Sequence, residues 1–184
     1  MLKRTTHTRK CLVCKDKFEP RNGNQLVCDF MCAKLYAQKQ EAKRKKEEKQ
    51  VLMEKLKTRS EHLKDLQKVF NQFIRIRDKS QPCISCGTTK KHIQYHAGHY
   101  KSCGAYPSLR FTEDNCHKQC STCNNILSGN IHEYRKNLIA RIGVERVEAL
   151  EQVGTEPLKL AIYEIQAMKE VYKNKIKQLK QHAH

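Results

Sequence analysis

Eight of the ten cysteines in this 184-residue chain fall into four short pairs: Cys11-x2-Cys14, Cys28-x3-Cys32, Cys83-x2-Cys86 and Cys120-x2-Cys123. A turn carrying two thiolates at that spacing lets both sulfurs converge on one ion without strain, and two such turns complete a tetrahedron. Taken in order, the pairs define two closed sites, one from Cys11, Cys14, Cys28 and Cys32 and one from Cys83, Cys86, Cys120 and Cys123. Each is expected to hold one structural Zn2+. His7 lies near the first set, but four cysteines already fill it. Cys103 and Cys116 are left over and read as small, partly buried thiols.

Staples of this kind suit the rest of the composition. Only 38% of residues are hydrophobic, 30% are charged and there is no Trp, so the core must be small. The length accommodates one ordinary domain or two small ones. Thirty-seven Lys and Arg against 19 Asp and Glu leave a net charge of +18, which calls for a polyanion, and nucleic acid is the natural partner. No apolar run is long enough to span a bilayer, and the first residues lack the apolar stretch of a signal peptide. The expectation is a soluble, cytoplasmic protein with reduced thiols rather than disulfides.

Along the chain, residues 1–10 read as a loose basic arm. The first cysteine group then forms a finger, with a hairpin turning at Pro20-Arg21-Asn22-Gly23 and the second cysteine pair opening a helix. From Ala33 to Arg59 the sequence is rich in helix formers and free of Gly and Pro, yet it has no apolar stripe, which predicts a solvated basic helix with pairs such as Glu41 to Lys45. Ser60 is a plausible N-cap for an amphipathic helix bearing Leu63, Leu66, Val69, Phe70, Phe73 and Ile74. His92 to His96 alternates like a strand. Further helices are expected over 130–142, stopped by Gly143, over 144–150, and from Thr155-Glu156-Pro157 almost to the end. The last helix can pack in cis or form a homodimer seam, and His182 to His184 read as a frayed tail. The domains are therefore placed at 1–36 (zinc finger), 37–60 (basic helical linker), 61–150 (the unit around the second cysteine group) and 151–184 (C-terminal helix).

Between the second set of cysteines lie His96-Ala97-Gly98-His99, then Asn115, and Asn124 directly after Cys123. This arrangement resembles the HNH endonuclease motif. The fuller strings HAGHY at 96–100 and LRFTEDNCHKQCSTCNNILSGN at 109–130 are similar to the phage lambda NinG (Rap) family of recombination endonucleases. The resemblance implies an α+β, mostly helical fold with a small treble-clef-like ββα unit clamped by zinc. It implies catalytic roles for His99, Asn115 and Asn124: His99 as general base, Asn124 as a ligand or orienting group for a catalytic divalent metal, and Asn115 as the residue that holds the loop. Mg2+ or Mn2+ would be the catalytic ion, with Ni2+ as a further candidate. In NinG-like sequences an acidic residue often stands three before the histidine. Here that position is His96, a borderline imidazole donor in place of a hard carboxylate. His96 and His99 would face opposite sides of a regular strand, unless a bulge at Gly98 brings them together.

The function expected on this basis is metal-dependent, structure-selective cleavage of branched recombination intermediates such as Holliday junctions and D-loops, alongside other recombination proteins. Three rivals stand beside it. One is a non-catalytic zinc protein that binds DNA, another a site-specific HNH nuclease of restriction or homing type, and the third a scaffold whose charged helix pairs with a partner. His117, Lys101, Arg110, Lys118 and Arg135 flank the site as candidate phosphate contacts.

Overall fold

The structure is a computed structural model and describes residues 8–181, so His7 and the tail at 182–184 lie outside the described residues. The chain is mostly helical, with two small two-stranded sheets, and it divides into two compact units, 1–57 and 58–184.

In the first unit, β1 (Arg9–Lys10) pairs antiparallel with β2 (Lys17–Phe18). The hairpin turns around the first cysteine pair, where Lys15 takes a left-handed conformation (φ 69°) and the Cys11 amide donates to the Asp16 carbonyl at 2.8 Å. The turn expected at Pro20 to Gly23 falls beyond the second strand instead. The physical reason is that the Cys11 to Cys14 knuckle itself reverses the chain, leaving 20–23 as an irregular connection to Cys28. Asp29 caps α1 (Phe30–Lys55) by accepting the Cys32 amide at 2.7 Å. Cys32 is the one buried residue of this 26-residue helix. Its surface carries ladders such as Glu41 to Lys45 at 3.5 Å. The helix runs unbroken through the position 36/37, where finger and linker were divided.

The second unit begins at Thr58, which caps α2 (Arg59–Arg77). Thr58-Arg59-Ser60-Glu61 is a capping box, in which the Glu61 amide donates to the Thr58 hydroxyl and Glu61 accepts the Thr58 amide at 2.7 Å. The reciprocal partner at Glu61 selects Thr58 over Ser60 as the cap. α2 packs against α5 (Ile162–Gln181), burying Leu66, Phe70, Phe73, Ile74, Ile165, Tyr172 and Ile176 together with Phe111 and Cys116. The apolar stripe of the last helix is thus used in cis. That helix starts at Ile162, later than Thr155 to Pro157 suggested, because the guanidinium of Arg59 captures the Leu158 and Leu160 carbonyls at 2.7 and 2.8 Å. Leu158 and Leu160 then pack on the core with the period of extended chain.

β3 (Tyr95–His99) and β4 (Cys116–Cys120) form the second sheet, with Tyr95 opposite Cys120 and His99 opposite Cys116. The strand lies three residues later than His92 to His96, since pairing ends where Cys120 joins the cysteine group and Ile93 packs beside the cysteines. The register passes through Gly98 without a bulge. Glycine is required there for a different reason: a Cβ would lie 2.9 Å from the Gln119 Cβ and closer still to its amide oxygen. A π-helical turn, Thr122–Ile126, follows the sheet. α3 (Ile131–Ile142) and α4 (Val144–Gln152), separated by Gly143 at φ 89°, enclose a second core of Ile84, Tyr100, Leu109, Tyr134, Leu138, Val147 and Leu150.

Candidate metal centres and the His99 cleft

Both cysteine sets assemble as the spacing predicts. In each, the four sulfurs all lie within 4.8 Å of one another, with Cys14 and Cys28 at 3.6 Å and Cys86 and Cys120 at 3.7 Å. A Zn–S bond of about 2.3 Å makes a tetrahedron with edges of about 3.8 Å, so both groups fit one ion of that size. All ten cysteines are free thiols. Backbone amides are aimed at the sulfurs, from Val13 to Cys11 at 3.4 Å and from Cys120 to Cys83 at 3.3 Å. Burial pushes the Cys11 thiol up, but the Val13, Cys14 and Cys28 amides outweigh it and bring it down to about 6. Cys83 is lowered in the same way, against its burial, by the amides of Cys120, Cys86 and Ser85. Such donors favour the thiolate form that a metal takes up at these two sulfurs, while burial and the neighbouring sulfurs push Cys28, Cys32, Cys120 and Cys123 up.

His99 ends β3. Its Nε2 is 2.9 Å from the Arg110 carbonyl, which can only accept, so Nε2 carries the proton and Nδ1 keeps the lone pair. The Cys116 sulfur lies 3.7 Å from Nδ1, and burial holds that thiol neutral. Burial also lowers the His99 pKa, outweighing the carbonyl bond that favours the charged ring. The imidazole is therefore neutral at pH 7. A cleft of about 510 Å³ is lined by His99, Lys101, Cys103, Tyr106, Asn124 and Ser128, among others. His99 and Asn124 thus share one cavity.

Asn115 and His96 do not. Asn115 is fully buried, its side chain accepting the Lys101 amide at 2.8 Å and donating to the Lys101 and Leu109 carbonyls at 3.0 and 3.1 Å. It closes the loop between the strands. His96 stands opposite Gln119 on the other face of the strand from His99, and its Nε2 is buried with no hydrogen-bond partner. Of the flanking cations, Lys118 donates to the Lys79 carbonyl at 2.9 Å and Arg135 is engaged by Glu151 at 2.7 Å, whereas Lys101 lies over the Tyr106 ring at 4.8 Å inside the cleft.

His117 is buried rather than presented to a phosphate. It belongs to a polar cluster that sequence reasoning missed, centred on Asp78 at the end of α2. Asp78 accepts the Lys118 amide at 3.0 Å and is gripped by Arg77 at 2.7 Å, with His117 at 3.4 Å and Arg141 at 3.8 Å. Burial would raise its pKa, but the His117 and Arg77 contacts prevail and hold it far below the usual carboxylate range. Arg77 also donates to the Cys116 and Glu113 carbonyls at 2.8 and 3.2 Å. With Lys175 on Glu113 and Arg146 on Asp114, three helices grip the turn that delivers Asn115 to the loop. An acid after an amphipathic helix signals an exposed cap, and only the folded chain shows it buried.

Fold and site together define a mostly helical α+β protein built around two four-cysteine groups able to hold metal ions. The family model described as Bacteriophage Lambda NinG protein matches residues 3–182, and the chain belongs to the NinG family. It is 38% identical over 190 residues to Protein ninG of Escherichia phage 933W, covering 94% of each chain. It is also 38% identical over 185 residues to Protein ninG of Escherichia phage lambda, covering 91% of this chain and 90% of that one. No solved structure matches the chain. Among the described residues, no helix is long and apolar enough to cross a membrane.

Proposed function

We propose that the chain is an endonuclease of the HNH type that hydrolyses a phosphodiester at branched recombination intermediates, with the two cysteine groups holding structural zinc. The observation that carries this reading is the state of His99: its Nε2 proton is committed to the Arg110 carbonyl, its lowered pKa keeps the ring neutral with a lone pair on Nδ1, and the residue lines an open cleft shared with Asn124. In the proposed step a water attacks phosphorus while Nδ1 takes its proton, and the P–O3′ bond breaks. The 3′ oxygen leaves and gains a proton, giving 5′ phosphate and 3′ hydroxyl ends. Lys101 supplies positive charge in the cleft, and Asn124 positions the phosphate or the water.

The divalent cation that HNH chemistry uses neutralises charge on the phosphate when bound. A Mg2+ ion fits these residues poorly. No carboxylate lines the cleft among the described residues, and His96, the residue expected to replace one, faces the other side of the strand. With the His99 Nδ1 used as the base and His96 turned away, the donors left for an ion in the cleft are oxygens such as those of Asn124 and Ser128, a set that suits Mn2+ rather than Ni2+, and Mn2+ is the ion with which cleavage is expected. The same lack of a carboxylate favours a second reading, a zinc protein that binds DNA without cutting it.

The test is incubation with a labelled four-way junction and a matched linear duplex in EDTA, Mg2+, Mn2+ or Ni2+, beside His99→Ala. Nicks at the junction that depend on metal and fall about 100-fold or more in the variant support the proposal. Binding without nicks in every metal gives the second reading, and defined cuts in linear duplex would instead point to a site-specific nuclease.

A further inference from the structure

The surface around the first cysteine group is apolar where a charged chain has least reason to be. Phe30 and Met31, at the start of α1, are 79% and 63% exposed, and Leu12, Leu26 and Leu35 are each close to half exposed. Phe30 and Met31, adjacent in the chain, are the most exposed of the five. At about 100° per residue, Phe30, Lys34 and Gln38 lie on the side of α1 turned away from the buried Cys32, Met31 stands at the edge of that side, and Leu35, one turn after Cys32, lies next to it. The Leu12 amide donates to the Leu26 carbonyl at 3.1 Å, so these two leucines sit side by side between the cysteine pairs.

Burying such side chains against another apolar surface is favourable, and leaving them in water is not, so the patch calls for an occupant. Its chemistry follows from the surrounding charge. Residues 8–40 contain seven Lys and Arg against three Asp and Glu. Asp29, one of the three, is already used as the α1 cap. Lys34 lies one turn from Phe30 on the same face. An uncharged apolar partner gains nothing from these cations. An unpaired nucleic-acid strand offers flat apolar base faces joined by phosphates, which matches aromatic and aliphatic side chains interleaved with lysines. Duplex DNA hides those faces in its stack, and a fork or junction exposes them.

We infer that Phe30 and Met31, with Lys34 beside them, form a binding site for unpaired bases, a wedge that engages single-stranded or branch-point DNA at the first unit. This site is independent of the chemistry assigned to His99, and it would operate in a protein that never cuts.

The chain contains no tryptophan, so Phe30→Trp places a single indole at the patch and makes stacking visible. The test uses the zinc-loaded full chain carrying His99→Ala, with fluorescence anisotropy on a forked DNA and on linear duplex of the same length. Phe30→Ala is expected to weaken fork binding about tenfold and to leave duplex binding within about twofold, the loss of one stacked base. Phe30→Trp should restore fork binding, with its emission quenched by fork or single strand but not by duplex. Zinc content and far-UV circular dichroism confirm that each variant is folded. Unchanged fork binding by Phe30→Ala, an equal loss on both DNAs, or an indole indifferent to single strand would each overturn the inference, and the first would leave a protein partner as the occupant. Nicking by a chain with native His99 is measured separately, so failure of the wedge and failure of the nuclease reading are distinct results.

Discussion

The two cysteine groups share a geometry and differ in what surrounds them. The second is set in a unit with two apolar cores of its own, one between α2 and α5 and one between α3 and α4. The first holds a hairpin of two-residue strands and the start of a helix whose one buried residue is itself a cysteine. Two units of one chain thus rest on different physics. Where apolar burial is ample, a metal held by the cysteines would adjust a structure that packing already defines, and where burial is missing, it would itself be the core.

Removing the ions should separate the two most sharply. With zinc bound as proposed, its binding free energy is folding free energy, about 10–16 kcal/mol for a small structural site. A strong chelator under reducing conditions is expected to abolish the order of residues 8–32 and leave α2 and α5 packed. Hydrogen exchange read peptide by peptide would check it. Persistent protection at 9–18 after both ions have left would break the comparison, because the first unit would then have another source of stability.

The converse perturbation is Phe70→Ala. Phe70 is fully buried, with Phe111 and Tyr172 set edge-on to it at 5.7 and 5.0 Å. Its loss should cost the second unit about 3–5 kcal/mol and leave zinc uptake by the first unchanged. Chemical denaturation followed alongside zinc release from Cys11 to Cys32 distinguishes the two effects. Equal loosening of both units would show that they fold as one.

Sequence reasoning followed the same divide. Where one ligand type at fixed spacing decides the structure, as in both cysteine groups, the outcome was legible before any coordinates, and so was the burial of Phe70 and Phe73 from helical periodicity. Local details went astray where a distant partner decides. Arg59 holds Leu158 and Leu160 extended and delays α5, and the Cys11 knuckle takes the turn assigned to Pro20 to Gly23. At the candidate site, His99 and Asn124 lie on one cleft, and the opposite facing of His96 follows from strand period alone. The Asp78 cluster was not legible, since no pattern distinguishes a buried, paired carboxylate from a solvated one.

Acid provides a milder test confined to the second unit. His99 and His117 are both shifted down, each chiefly by burial. The unfolded chain takes up protons near pH 6.5, whereas the folded imidazoles do so only at lower pH. Stability from these two groups is therefore fully present above about pH 6.5 and falls as the pH drops below it, until the folded rings titrate too. The unfolding midpoint of the α2–α5 core should be lower at about pH 5.5 than at about pH 7.5, and His117→Gln should flatten that slope. An unchanged slope would mean that His117 titrates alike in the folded and unfolded chain, and a steeper one that its contact with Asp78 keeps it charged in the fold.

The smallest effect is expected on the solvated part of α1. Glu41 meets Arg44 at 2.9 Å and Lys45 at 3.5 Å, but all three side chains are largely in water. Solvent screening leaves such pairs worth less than about 0.5 kcal/mol, and salt weakens them further. Glu41→Gln should therefore lower α1 helicity only slightly at low ionic strength and not at all in high salt, as read by circular dichroism. It also removes one of the few acids from a basic helix. If that helix tracks a phosphate backbone, the substitution should tighten DNA binding while it loosens the helix. Opposite signs in the two measurements would assign the exposed charges of α1 to a polyanion rather than to folding, and a stability loss that survives high salt would place Glu41 in a packed contact instead.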